Sequence, residues 1–336
     1  MKQFIVQDNE AGQRLDKLLL KILNKAPKSF IYKMLRKKNI VLNGKKADGS
    51  ERLNVNDEIK LFLSDSTIAQ FQDSIDSTIV EYDLDIVYED SHLLIINKPF
   101  GVLSQKGKKE DVSLVEHVTS YLLSTNQLTK QQLISFRPGL CNRLDRNTSG
   151  LIIAGKSLLG LQEMARLLKE GSVDKYYLCI VKGKVESKHR IEGYLHKDTK
   201  KNVVTILSEK RDNSAFICTE YEPFYISEPK EIQGVKEYYT LLQVKLITGR
   251  SHQIRAHLAS IGHPILGDFK YGEQKTNHYF KINYGLSHQL LHSYRIVYPT
   301  IIGKLSYLSG REFKAQLPDI FNKIKDDLYP MREILL

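Results

Sequence analysis

The feature that most constrains this 336-residue chain is a break in its charge. Residues 1–60 carry 14 Lys/Arg against 7 Asp/Glu, and residues 61–92 carry no Lys or Arg and eight acids. From residue 93 onward the balance is +12, for a net charge of +11. Eight like charges in a row of 32 residues repel one another and do not run through a shared core. The pattern therefore divides the chain into a small basic module at 1–64, an acidic linker at 65–82 and a larger module at 83–336. At about 150 residues per domain, two modules also suit the length.

Composition narrows the class. Hydrophobic residues make up 41% and charged residues 26%, ordinary for a globular chain and too apolar for wholesale disorder. No apolar run reaches the roughly 18–20 residues of a membrane helix. Residues 1–8 show no apolar signal-peptide segment, and Cys141, Cys179 and Cys218 are too scattered for a disulfide framework or a metal clip. The expectation is a reduced, cytoplasmic protein whose positive charge suits nucleic acid and not a membrane.

The small module reads helix, helix, hairpin. Leu15, Leu18, Leu19 and Leu23 recur at helical spacing, and Ser29 is a candidate N-cap for a second helix with Ile31, Met34 and Leu35 on its apolar side. Lys33, Arg36, Lys37 and Lys38 occupy the other side and the end of that helix. Asn43-Gly44 is a hairpin signal that puts Lys45 at the tip, and a strand over 58–63 follows. Such a surface can track phosphates, although charge runs are often only a solvated face. Gly12-Gln13-Arg14-Leu15-Asp16-Lys17-Leu18-Leu19, then Ser29, Leu35-Arg36, Ile40 and Leu42-Asn43-Gly44, resembles the S4 RNA-binding domain.

The large module alternates strands with helices. Leu93 to Lys98 reads as a buried strand stopped by Pro99, and 114–123 and 158–170 read as amphipathic helices, the second closed by Gly171. Strands are expected over 176–181, 239–247 and 293–298, with strands and surface loops over 201–240. The expected architecture is α+β: an S4-like αβ module beside a larger mixed, mainly antiparallel sheet with flanking helices.

Gly150 to Ser157 spells G-x-x-x-x-G-K-S, the phosphate-cradling P-loop pattern. Its interior, Leu151-Ile152-Ile153-Ala154, favours a buried strand over a phosphate nest, so nucleotide chemistry is set aside.

Three other segments carry chemistry. In Asn142-Arg143-Leu144-Asp145-Arg146-Asn147-Thr148-Ser149-Gly150 a carboxylate lies between two arginines, whose charge favours its anionic form. An anionic carboxylate can serve as nucleophile or base. The alternative is a structural ion pair, and Arg14-Leu15-Asp16 repeats the tripeptide at a helix start where such a role suffices. In Lys175-Tyr176-Tyr177 the two rings face opposite sides of a strand, so one can be core while the other lines a cleft. In Thr248-Gly249-Arg250-Ser251-His252-Gln253-Ile254-Arg255-Ala256-His257 the two histidines are five apart, off a common helical face. That spacing disfavours zinc, while the arginines suit a carboxylate or phosphate. No second carboxylate accompanies Asp145 in its motif, as paired-carboxylate glycosidases require.

Together these segments strongly resemble pseudouridine synthases of the RluA family. That resemblance is extended by Leu93 to Gly101, by Gly267-Asp268 with Tyr271-Gly272, and by Leu290-Leu291-His292-Ser293. One departure is Asn142, where the family usually has His. The resemblance implies isomerisation of uridine to pseudouridine in RNA, without metal or cofactor. It implies that Asp145 is the catalytic carboxylate and that Arg255 pairs with it. It also implies that Tyr177 stacks on the uracil and that Arg143 enters the RNA. Arg250, His252, Lys33, Arg36, Lys37, Lys38 and Lys45 are the further RNA-binding candidates. The implied partner is 23S rRNA or a large-subunit assembly intermediate, met by a monomer. A tRNA-directed enzyme of the same family and a non-catalytic rRNA-binding assembly factor are the alternatives.

Overall fold

The computed structural model describes residues 1–72, 80, 83–198, 202–232 and 234–330. Its small module comprises β1 (Lys2–Ile5), α1 (Leu15–Ile22), α2 (Lys28–Arg36), β2 (Ile40–Leu42), β3 (Lys45–Lys46), β4 (Glu58–Leu61) and α3 (Asp65–Phe71). The four strands form one sheet in the order β1-β4-β2-β3. Asn43 and Gly44 both take positive φ, 50° and 71°, as the tight β2–β3 turn requires. Leu15, Leu18, Leu19 and Ile22 of α1 meet Ile31 and Leu35 of α2 in a core of their own.

Two details differ from the sequence expectation. Helix α2 starts at Lys28 behind Pro27, and no side chain caps it. Proline, at φ −67°, already holds an extended entry to the helix, so Ser29 falls inside the first turn. The acidic stretch also begins as structure. Ser64 accepts the Thr67 amide and opens α3, whose Ile68 enters the small core while Phe71 packs on Phe30 at 4.4 Å. Two apolar side chains spaced three apart are enough to fold an acidic turn back onto a waiting surface. The remaining acids Asp73, Asp76 and Glu81 lie outside the described residues.

The larger module follows with β5 (Ile86–Glu89), β6 (Leu93–Lys98), α4 (Leu114–Ser124), β7 (Gly139–Leu140), β8 (Ser149–Gly155), α5 (Leu158–Lys169) and β9 (Asp174–Lys182). Next come β10 (His189–Asp198), β11 (Val203–Leu207), β12 (Ser214–Ile226), β13 (Lys230–Ile232), β14 (Val235–Glu237) and β15 (Tyr239–Leu246). The chain continues with α6 (Gln253–Ser260), α7 (Gln274–Tyr284), β16 (Leu291–Val297), β17 (Glu312–Lys314) and α8 (Asp319–Leu328). Among the described residues the main sheet runs β11-β10-β12-β15-β9-β16-β8-β6-β5, with β17 on β16 and β7 on β8. Among the described strand pairs of this sheet only β8–β16 is parallel, which makes the α+β sheet mixed and mainly antiparallel.

Strands β6 and β8 each carry a continuous apolar run, Leu93–Ile96 and Leu151–Ala154, because both faces of the sheet are covered there. Leu94, Ile96, Ile152 and Ala154 join α4 on one side, and Leu93, Ile95, Leu151 and Ile153 join Met164 and Leu167 of α5 on the other. The P-loop-like residues are consumed by this packing: Ser149–Gly155 is buried at every position. Lys156 pairs with Glu89 at 2.5 Å, and Ser157 caps α5 by accepting the Gly160 amide. The modules touch where Ser135 donates to Glu10 at 2.5 Å and the Leu158 amide donates to Asn9 at 3.1 Å.

Candidate active site

A cleft of about 890 Å³ opens where the Asp145 loop, the head of β9 and the turn before α6 converge. Arg143, Asp145, Arg146, Tyr177, Arg250, His252 and Arg255 line it. Its components arrive from three distant parts of the chain because β9 lies between β15 and β16, and β16 lies against β8.

The loop carrying Asp145 is clamped by the segment after β6. The Ser104 hydroxyl accepts the Leu144 amide and donates to the Leu144 carbonyl. Fully buried Lys98 donates to the carbonyls of Pro99, Val102 and Arg146 at 2.8–3.1 Å. Arg146 Nε donates to the Gly101 carbonyl, and the Gly101 amide returns a bond to the Arg146 carbonyl. Asp145 thus sits between two anchored neighbours. Burial pulls the Lys98 ammonium down to about 7, against the nearby Asp145 charge.

The cation that meets Asp145 is neither of its sequence neighbours. Arg255, on α6, donates from Nη1 to Asp145 Oδ2 at 2.8 Å. Its Nε and Nη2 form a fork onto Asp268 at 2.7 and 2.9 Å. Arg255 is 8% exposed and Asp268 0%, so the pairs form away from bulk water. Burial opposes the Arg255 charge, but Asp268 and Asp145 raise its pKa above the usual arginine value. Burial likewise works against the Asp268 carboxylate, and Arg255 holds it below the usual carboxylate range. The other Arg-Leu-Asp behaves differently: Arg14 folds onto Asp16 two residues away through two 3.0 Å bonds.

Tyr177 is 5% exposed and borders the cleft, while Tyr176 turns to the opposite face under Arg295, whose guanidinium lies 4.0 Å from its ring centre. Burial pushes the Tyr177 phenol up to about 12, with the Asp145 charge adding to the rise. Tyr177 is therefore a protonated, apolar-backed ring at neutral pH, suited to a planar base. Arg143 and Arg250 are exposed at the rim and, among the described residues, their side chains make no ion pair. His252 turns inward, with its side chain 11% exposed and Nε2 3.9 Å from Asp145 Oδ2. Asn142 accepts the Ile153 amide at 2.7 Å, so this departure is occupied in bracing β8.

Lys33, Arg36, Lys37, Lys38 and Lys45 are all exposed on the small module, away from this cleft. Reading residues in isolation had missed Lys98, Ser104, Asp268 and Tyr271, although Lys98, Asp268 and Tyr271 lie in motifs that the sequence quotes. Among the described residues no three His, Cys, Asp or Glu side chains group as a metal site. A second, open depression is lined by His196, Thr205, Leu207, Lys210, Arg211 and Asp212, without the carboxylate–arginine pair.

The model of the RNA pseudouridylate synthase family matches residues 92–260, which contain Asp145, Tyr177 and Arg255. The chain belongs to that family. The S4 domain model matches residues 13–59. A relative in Rickettsia bellii, named ribosomal large subunit pseudouridine synthase C, is 30% identical over 95% of this chain and 99% of its own. An RNA pseudouridine synthase of Mycoplasma genitalium, itself uncharacterized, is 29% identical over 89% of this chain and 90% of its own. The fold is shared with human RNA pseudouridylate synthase domain containing 4, at a TM-score of 0.54 and 20% identity over 72% of this chain and 92% of that one. This pseudouridine synthase is an isomerase that converts uridine in RNA to pseudouridine and carries an S4 domain. None of its described helices is long and apolar enough to cross a membrane.

Proposed function

We propose that this synthase modifies uridine in large-subunit rRNA, or in an assembly intermediate of it, with Asp145 as the catalytic carboxylate. The observation that carries the chemistry is the Asp145–Arg255–Asp268 chain, whose Asp145 and Arg255 line the same cleft as the Tyr177 ring. The support for the target is that relatives named for the large ribosomal subunit align along nearly the whole chain, S4 module included.

The isomerisation breaks the N1–C1′ bond, turns the uracil and joins C5 to C1′, with no net redox change. The target base must leave its stack at a cost of a few kcal/mol. Arg143, exposed at the rim and in no ion pair among the described residues, enters the vacated space. Tyr177 stacks on the uracil and takes part in the transfer of the C5 proton. Arg255 holds Asp145 in register, and Arg250 meets phosphate. Lys33, Arg36, Lys37, Lys38 and Lys45 extend the phosphate contact from the S4 module of residues 1–64, whose core α3 completes. The protein works in the cytoplasm as a monomer.

Two measurements test this. Purified Asp145→Asn should bind the RNA and form no pseudouridine; retained turnover refutes the assignment. Mapping pseudouridine across rRNA and tRNA, with and without the gene, should show loss in 23S rRNA. Loss confined to tRNA refutes the target.

A further inference from the structure

His252 occupies a costly backbone position. It precedes α6 as its N-cap residue with φ +56°, the left-handed region that costs a non-glycine residue about 1–2 kcal/mol. Such strain persists only where the surroundings over-determine it, and it clusters at functional sites. Here the surroundings are the Asp145 cleft and Tyr271.

The Tyr271 oxygen lies 2.8 Å from His252 Nδ1. The same oxygen accepts the Val204 amide at 2.9 Å. The phenol has one proton, and His252 Nδ1 is the acceptor placed for it. When the phenol donates, Nδ1 accepts and the hydrogen of the neutral ring sits on Nε2. That Nε2 faces Asp145 Oδ2, the oxygen already held by Arg255. Asp145 Oδ1 accepts no hydrogen bond among the described residues, which leaves it as the oxygen free to meet substrate.

We propose that Tyr271 locks the His252 ring with its Nε2–H toward Asp145, making His252 a positioning residue that, with Arg255, fixes one carboxylate oxygen and presents the other to the nucleotide. This rests on Asp145 being the catalytic carboxylate. The 3.9 Å separation is longer than a hydrogen bond, and contacts of this kind close when substrate fills the site. Tyr271 is tied to both partners, since its ring also lies 5.2 Å from the Arg255 guanidinium and edge-on to His252. The charged groups facing the imidazole are Asp145, Arg255, Lys270 and Asp268. Burial, together with Arg255 and Lys270, holds the ring below its ordinary pKa against the pull of Asp145, so it donates as a neutral group.

The experiment compares His252→Asn, His252→Gln and Tyr271→Phe in the full chain, with Asp145→Asn as control. Asparagine tolerates the left-handed backbone but is too short to reach Asp145. His252→Asn should lower kcat about 100-fold, the lower end of the effect of losing one placed donor, and should lower kcat far more than it weakens RNA binding. His252→Gln, whose amide can donate near the Nε2 position, should recover most of that loss. Tyr271→Phe should lower kcat less and move the acid limb of the kcat–pH profile to higher pH, because the hydroxyl stabilises the neutral ring. Weakened RNA binding at unchanged kcat, or Gln as impaired as Asn, overturns the proposal. Turnover by Asp145→Asn overturns the reading of Asp145 itself, whatever the His252 variants do.

Discussion

Asp145 and Arg255 stand 110 residues apart in sequence and meet at 2.8 Å, and the same guanidinium grips fully buried Asp268 on its other side. One cation thus serves two carboxylates with different accessibility. Asp268 is sealed and orients the fork, while Asp145 opens onto the cleft. A lysine could satisfy one of them but not both with fixed geometry.

Removing the cation should therefore damage fold and activity together. Arg255→Ala leaves Asp268 buried without its partner, a cost of about 3–5 kcal/mol. The expected result is a melting temperature lowered by several degrees and no measurable pseudouridine. Arg255→Lys should keep more stability but remain at least tenfold slower. A near-normal rate in Arg255→Lys would falsify the bidentate role.

Asp268→Asn tests the same clamp through pH. Arg255 holds the Asp268 pKa below the ordinary value of 3.8, so folding gains from this group above that value and loses the gain as pH falls through the folded pKa. The stability gap between wild type and Asp268→Asn should be full near neutrality and shrink below about pH 4. Denaturant titrations at pH 7 and pH 3.5 measure it, and a gap that widens in acid contradicts the assignment.

Lys98 ties three carbonyls around the Asp145 loop, so Lys98→Met should cost about 2–4 kcal/mol, mostly from stranded acceptors. The loss should appear in kcat as well, since Arg146 adjoins Asp145. Burial takes this ammonium from 10.5 to about 7, so between those values the unfolded chain binds more protons. This term makes stability rise with pH across that window, and Lys98→Met should flatten the rise. An equal slope in both proteins would argue that Lys98 is not the group responsible.

Gly150 combines φ +107° with a close approach to the neighbouring strand: an added Cβ would lie 2.2 Å from the Ser293 carbonyl oxygen. Gly150→Ala should push β8 from β16, costing about 3 kcal/mol by backbone clash and strain together, or abolish soluble expression. A melting temperature within a degree of wild type would contradict this.

The S4 face should act through charge. Replacing Lys33, Arg36 and Lys37 with alanine should weaken RNA binding and flatten the salt dependence of log Kd by roughly two to three units of slope. Catalysis at saturating RNA should hold. An unchanged slope would mean these residues are only a solvated face.

The sequence alone determined the parts whose cause is local. The Asn43-Gly44 turn, the apolar runs inside β6 and β8, the closing Gly171 at φ +69° and the opposite faces of Tyr176 and Tyr177 all follow from backbone preferences and periods of two or 3.6 residues. The same reasoning rejected the P-loop, because Leu-Ile-Ile-Ala cannot serve as both phosphate nest and buried strand. Linked motifs also pointed to Asp145, Tyr177 and Arg255 as a set. Only the tertiary structure decided who meets whom. Arg143 and Arg146 flank Asp145 in sequence, yet Arg255 supplies the charge. Asp268 grips that arginine, Tyr271 holds His252, and Lys98 pins the loop from another strand. Those contacts depend on sheet order and on the parallel pairing of Ser149 with His292, 143 residues away. Hydrophobic period fixes which face a strand buries but not which strand lies beside it, so the partners of a buried charge appear only when the sheet is assembled.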